Sequence, residues 1–418
     1  METTQKVKLS APKGFWRNIV IFLAVLGPGI ITANVDNDAG GIATYSVAGA
    51  HFGYQLLWAV VPVVFALIVI QEMSARMGAV TGKGLADLIR ENFGAKITFY
   101  AMLALLFTNL GNTMSEFSGV AASLEIFGVT KYISVPAAAL LVWLLVVKGT
   151  YKVVEKVFLV ACLFYVTYIV SGFMAEPNWG EVGTAMIHPP LRFDTPYIYL
   201  LIGVIGTTIA PWQLFFLQSS IVDKGVGVEH YKHSRWDAVI GCVMAGIVVF
   251  FIMVACAATI HPAGIRIESA ADAALALKPL AGKYCSWLFA FGLFNASIFA
   301  ATVLPLAVAY YVCEGLGWEA GVDKTFSEAP QFYGLFTATI LIGMGVVLIP
   351  DFPLFKMMVL SQVVNGIVLP FILIFMIVLI NREDIMGELK NGKVWNAVAW
   401  LTVISVIALT LFLAFNFF

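Results

Sequence analysis

Apolar runs long enough to cross a bilayer recur along this chain, at about 17–48, 54–75, 98–127, 132–149, 156–174, 196–222, 237–260, 284–313, 332–350, 354–380 and 394–417. Hydrocarbon offers the backbone no hydrogen bonds, so a spanning segment must satisfy its own peptide groups. Only helices and closed barrels do this, and runs of this length are helices. The runs predict an all-α polytopic membrane protein with eleven transmembrane helices. With 61% hydrophobic and 12% charged residues, the chain is not a soluble domain. An odd number of spans with the N-terminus inside splits the 24 Lys and Arg residues 18 inside to 6 outside, which fits the positive-inside rule. The polar, basic residues 1–16 then read as a cytoplasmic tail, 17–380 as the core and 394–417 as a final helix, with the C-terminus outside.

Two runs are interrupted by residues that do not belong in a plain span. The first contains Gly27-Pro28-Gly29-Ile30-Ile31-Thr32-Ala33-Asn34-Val35-Asp36-Asn37-Asp38-Ala39-Gly40-Gly41. A carboxylate at this depth costs roughly 2.5–3.5 kcal/mol on insertion scales, so Asp36 and Asp38 should face a wet cavity or a cation. The paired glycines after Asp38 predict a broken helix with free carbonyls, and carboxylate plus unwound carbonyls makes a cation site. The alternative is a buried Asp that caps a half-helix.

The second interruption lies in the sixth run, at Gly203-Val204-Ile205-Gly206-Thr207-Thr208-Ile209-Ala210-Pro211-Trp212-Gln213. Pro211 removes a backbone donor and clashes with the preceding turn. Alone it would read as a simple kink. Falling five helices after the first break, it predicts a transporter built of two inverted five-helix repeats, with the eleventh helix appended.

Other features carry less. Glu116 lies mid-span in the third run, as an ion or proton relay or as a carboxyl bonded to a neighbouring helix. Gln362 and Asn365 in the tenth run either reach the cavity or glue helices together. His51, His188, His230, His233 and His261 fall at helix ends or in loops. Cys162, Cys242, Cys256, Cys285 and Cys313 have no paired spacing and indicate neither zinc nor a disulfide frame. No catalytic constellation, phosphate loop or basic nucleic-acid patch appears, so the chain reads as no enzyme, with the bilayer as its surroundings and no obligate protein partner.

These residues resemble the Nramp family of divalent-metal transporters. Gly27-Pro28-Gly29, Asp38-Ala39-Gly40-Gly41, Ala43-Thr44 and Ala48-Gly49 follow the register of the family's first helix. Gln71, Ala75-Arg76-Met77-Gly78, Val80-Thr81-Gly82-Lys83 and Leu85-Ala86 follow its second, and Glu116 its third. Ser361-Gln362-Val363, Leu369-Pro370-Phe371, Asn381-Arg382 and Met386-Gly387-Glu388-Leu389 match its tenth helix and the loop after it. The resemblance implies a LeuT-like fold and proton-linked uptake of manganese or ferrous iron, with metal as substrate and no resident cofactor.

The departures fall on the family's metal site. Its Asn ligand is Gly41 here, and its Met-Pro-His is Ala210-Pro211-Trp212. The next family histidine is absent, with Gln218 nearby, and the acid three residues before Glu116 is Thr113. Thioether sulfur favours softer metals, so its loss removes discrimination against hard cations. Magnesium is usually held by one or two carboxylates plus waters. The expected ligand set is Asp38 with Asp36, Gln362 and backbone at Gly41, Thr207 and Ala210, in a widened cavity. Glu116, Trp212, Gln213 and Asn365 are the expected relay or cavity residues. The chain thus resembles the Nramp-related magnesium transporters: uptake of Mg2+, Mn2+ tolerated, with weak or no proton coupling, across a prokaryotic plasma membrane. The rivals are a proton-coupled Mn2+/Fe2+ transporter and a sodium-coupled organic-solute symporter.

Overall fold

The computed structural model describes residues 28–148, 165–190 and 192–417. The expected tail, the first run up to Gly27, Cys162 and the first half of the fifth apolar run (156–164) lie outside the described residues, as does Phe418. The described residues contain helices and no strand. In chain order the main helices are α1 (Pro28–Asn34), α2 (Ala39–Phe52), α3 (Val60–Thr81), α4 (Leu85–Phe93), α5 (Ala95–Glu125) and α6 (Lys131–Val147). Then follow α7 (Val166–Met174), α8 (Trp179–Ile187), α9 (Thr195–Thr208), α10 (Pro211–Asp223), α11 (Tyr231–Thr259) and α12 (Cys285–Leu316). The last three are α13 (Pro330–Val347), α14 (Leu354–Ile380) and α15 (Lys393–Phe417).

Eight helical stretches among the described residues are long and apolar enough to cross a membrane. One of them, Ala39–Thr81, joins the end of the first expected span to the whole of the second through a 3-10 turn, Gly53–Ala59. Large apolar side chains such as Phe107, Phe371 and Leu401 are exposed on the outer faces, where lipid replaces water as solvent.

Both interruptions are real breaks. The first is a 3-10 turn, Val35–Asn37, followed by Asp38 in extended conformation (φ −69°, ψ −176°). The break therefore precedes the glycines, which was not the expected place. Gly40 and Gly41 sit in the first turn of α2, and their role is space: a Cβ on Gly40 would overlap the Gln362 amide, and one on Gly41 the Asp36 carbonyl. The second break is Ile209-Ala210, with ψ of 73° and 139°, and Pro211 opens α10 at a position where its missing N–H costs nothing.

The two breaks meet. Tyr45 and Thr208 hydroxyls are hydrogen-bonded at 2.8 Å, and Thr207 Oγ1 donates to the Asp36 carbonyl at 3.4 Å. α9 crosses α14 at Gly206 and Gly366, where a Cβ on either would strike the other helix's backbone. Such small-residue crossings hold membrane helices together in the absence of a hydrophobic driving force. α1 is tied to α11 by the Gly29 amide, which donates to Asp237 Oδ2 at 2.7 Å.

A polar knot closes one end of the bundle. Arg76 on α3 donates to Glu72 (3.2 Å), to Asn391 Oδ1 (2.5 Å) and to the Leu389 carbonyl (2.7 Å). Glu72 also accepts from Tyr231 at the start of α11 and from Trp395 Nε1 of α15 at 2.5 Å. Three helices and the segment before α15 are pinned by one buried ion pair.

Candidate metal site

The site is built where α2 starts. Asp38 is the N-cap of α2, with Oδ1 accepting the Gly41 amide at 2.6 Å. Glu116, one face of α5, accepts the Ala39 amide through Oε2 at 3.2 Å. The two acids thus meet on the first turn of α2, and the Gln362 amide lies against Gly40 of the same turn. Free helix amides and the positive end of the dipole explain why two acids gather here. The capping role raised as an alternative for Asp38 is thus present, and Glu116 shares it.

Asp36 lies one turn back. Its Oδ1 accepts from Gln213 Nε2, and Gln213 Oε1 in turn accepts from Gln71 Nε2 of α3 at 3.2 Å. The Asn37 carbonyl accepts from the Tyr165 hydroxyl at 2.9 Å. Several buried oxygens in or beside the break have no hydrogen-bond partner: Asp36 Oδ2, Asn37 Oδ1, Thr44 Oγ1 and Glu116 Oε1. Leaving such a group unpaired costs about 1–3 kcal/mol each, and a cation among them would offset that cost.

The expected residues divide as follows. Asp36, Asp38, Glu116, Thr207, Gln213 and Gln362 come together around the two breaks. Gly41 contributes its N–H to Asp38 and its lack of a side chain to the Asp36 contact. The Ala210 carbonyl accepts the Gln213 amide at 3.1 Å. Trp212 is buried with its ring 6.2 Å from that of Phe216, in apolar packing. Asn365 bonds Gln362 and Asn112 rather than the break itself.

At Gly41 the structure shows close packing where a widened cavity was expected. The room left by Gly41 is taken by the Asp36 carbonyl and Thr207, and every one of these residues is buried, Asp38 at 4% and Glu116 at 0% exposure. The structure is closed around the breaks. A cleft of about 590 Å³, lined by Phe52, Tyr54, Glu181, His188 and His261 among others, lies beyond the C-terminal end of α2 and includes none of the expected site residues. Among the described residues no three His, Cys, Asp or Glu side chains converge as a metal-holding group. The donors at the breaks are carboxylates, amides, hydroxyls and carbonyls, a hard-oxygen set.

Sequence reasoning missed Gln71, whose amide completes the row to Asp36, and the pair Asn109 and Asn112. Their signal was present: with Glu116 they fall on one face of α5, at spacings of three and four residues.

The family model described as natural resistance-associated macrophage protein-like (Nramp) matches residues 29–416. The chain belongs to the Nramp family. Among solved structures, the Nramp chain is similar to the Eremococcus coleocola manganese transporter, determined with an aromatic bis-isothiourea compound, at 22% identity and TM-score 0.80, covering 96% of this chain and 88% of that one. It is also similar in fold to MhsT bound to L-phenylalanine (17% identity, TM-score 0.58, 92% and 98% covered). A third likeness is to MHP1, a nucleobase-cation-symport-1 family transporter (12%, TM-score 0.56, 94% and 93%). This Nramp protein is therefore a polytopic membrane transporter of the LeuT-like fold with broken first and sixth helices, in a family that carries divalent metals.

Proposed function

We propose that this Nramp chain carries a hard divalent cation, Mg2+ with Mn2+ tolerated, into the cell by alternating access through the helix breaks, with its N-terminus cytoplasmic. The observation that carries the reading is that Asp38 and Glu116 both accept from amides at the start of α2, with unpartnered buried oxygens of Asp36, Asn37 and Glu116 around them. Two acids and neutral oxygen donors suit a cation that sheds water reluctantly and prefers oxygen. Ala210 and Trp212 supply neither thioether nor imidazole, so nothing in the second break favours a soft metal.

Weak proton coupling belongs to the same reading. Beyond Glu116 along α5 come Thr113, whose hydroxyl is bonded back to the Asn109 carbonyl at 2.9 Å, and the amides of Asn112 and Asn109. None of these takes up and releases a proton. The membrane potential, about 2.3 kcal/mol per charge per 100 mV, is a sufficient driving force for a divalent ion.

A second reading, proton-coupled uptake of Mn2+ or Fe2+, is favoured by one observation: Glu116 and Asp38 accept from amides of the same helix turn, which sets two carboxyl groups side by side as donor and acceptor of a proton. The test of the main reading is Mg2+ and Mn2+ uptake into proteoliposomes by wild type and Asp38→Ala. Uptake by wild type alone is expected; equal uptake by both would remove Asp38 from the pathway and the reading with it.

A further inference from the structure

A row of four buried amides runs from the candidate site into the body of the protein. Asn109 Nδ2 donates to the Leu304 carbonyl of α12 at 2.9 Å, and Asn112 Nδ2 donates to Asn109 Oδ1 at 3.2 Å. Asn112 and Asn365 exchange a reciprocal pair of bonds, both 3.0 Å, across α5 and α14. Asn365 Nδ2 also donates to Gln362 Oε1 at 2.8 Å.

This row has a fixed direction. A backbone carbonyl can only accept, so Leu304 orients Asn109, which orients Asn112, and so on to Gln362. At the far end the row leaves Gln362 Nε2 against Gly40 with no partner that meets hydrogen-bond geometry. The Gln362 amide is therefore held nitrogen-first toward the site by Asn365, and the neighbouring Asp38 carboxylate favours the same direction. An N–H cannot ligate a cation; the amide must turn to offer Oε1. Turning breaks the Asn365 bond and sets two NH2 groups face to face.

We propose that Asn365, held by Asn112, is a positioning residue that sets the direction of the Gln362 amide and so restrains cation binding at Asp38. This rests on the transport reading above. Each entering ion must turn Gln362 against Asn365, and each departing ion lets it spring back. The restraint favours release, which a transporter needs and a storage site does not.

The test is Mn2+ binding to the purified full-length chain by titration calorimetry, for wild type, Asn365→Leu and Asn365→Asp, each with and without Gln362→Leu, and with Asp38→Ala as the control. Leu, of similar size, frees Gln362 without adding charge. Asp can only accept, so it draws the Gln362 nitrogen and turns Oε1 to the site. Removing one hydrogen bond that opposes binding should tighten Kd by roughly three- to tenfold, and the gain should vanish when Gln362 is Leu. A purely structural role predicts weaker binding instead. Unchanged or weaker binding in the folded variants overturns the proposal, as does tightening that persists without Gln362. Should Asn365→Leu not fold, Asn365→Asp decides. If wild type shows no Asp38-dependent binding at all, the transport reading falls first and takes this inference with it.

Discussion

Asp38 and Glu116 cap the same half-helix: Asp38 Oδ1 accepts the Gly41 amide at 2.6 Å and Glu116 Oε2 accepts the Ala39 amide at 3.2 Å, so the two acids meet at one helix end. Each acid spends one oxygen on the helix. Capping and ligation are therefore not rivals here. The half-helix fixes where the carboxylates stand, and Glu116 Oε1 remains without a partner.

Glu116→Gln follows from that contact. The amide keeps an acceptor for the Ala39 N–H but carries no charge and no exchangeable carboxyl proton. Metal uptake should fall while the protein stays folded, and intravesicular pH during uptake at clamped potential should be nearly flat in both proteins. Robust acidification by wild type that is lost in Glu116→Gln would establish the proton-coupled alternative.

Gly41→Ala probes the closed state. Its Cβ would overlap the Asp36 carbonyl and press on Thr207 Oγ1 at 3.0 Å. Overpacking of this kind costs about 1–3 kcal/mol, so the melting temperature in detergent should drop by several degrees. An unchanged melting temperature would show that the two breaks do not close on each other at Gly41.

The breaks themselves were legible in the sequence, since Pro211 and the acids at 36 and 38 are expensive in a span unless they make a site. Their geometry was not. Gly40 and Gly41 suggested unwound backbone, yet they are helical and small because Gln362 and the Asp36 carbonyl lie against them. That depends on which helices touch, which periodicity does not encode. The same holds for Asn112, whose meaning appears only when α14 brings Asn365 within 3.0 Å. Glu72 and Arg76 were readable as an i, i+4 pair, but Trp395 and Leu389, far along the chain, complete the knot.

Arg76→Lys should not be tolerated as a conservative change. Lys cannot reproduce the fork that serves Glu72, Asn391 and the Leu389 carbonyl together. Breaking a buried pair by removing a partner costs about 3–5 kcal/mol, and Lys keeps part of it. A loss of thermal stability with faster proteolysis near Lys390 is expected; wild-type resistance at that loop would show that the knot does not hold α15.

Asp194 tests a cap outside the membrane. It caps α9, accepting the Tyr197 amide at 3.2 Å, and pairs with Arg192 at 2.7 Å. Slight burial pushes its carboxyl up, but the Arg192 guanidinium and the Tyr197 amide outweigh that and hold it below the usual 3.8. A depressed folded value stabilises above the unfolded value and is lost as pH falls through the folded one. Asp194→Ala should cost about 1 kcal/mol near neutral pH, and the gap to wild type should narrow as pH drops below about 4. A gap that widens on acidification would reverse the sign.

The account stands most directly on the hardness of the site. Wild-type proteoliposomes should take up Mg2+, and equimolar Cd2+ should inhibit that uptake weakly, because carboxylates, amides and carbonyls surround the breaks and Ala210 offers no sulfur. Ala210→Met should strengthen the Cd2+ inhibition. The contradicting result is wild-type protein that ignores Mg2+ and transports Cd2+ or Mn2+ in strong preference to it.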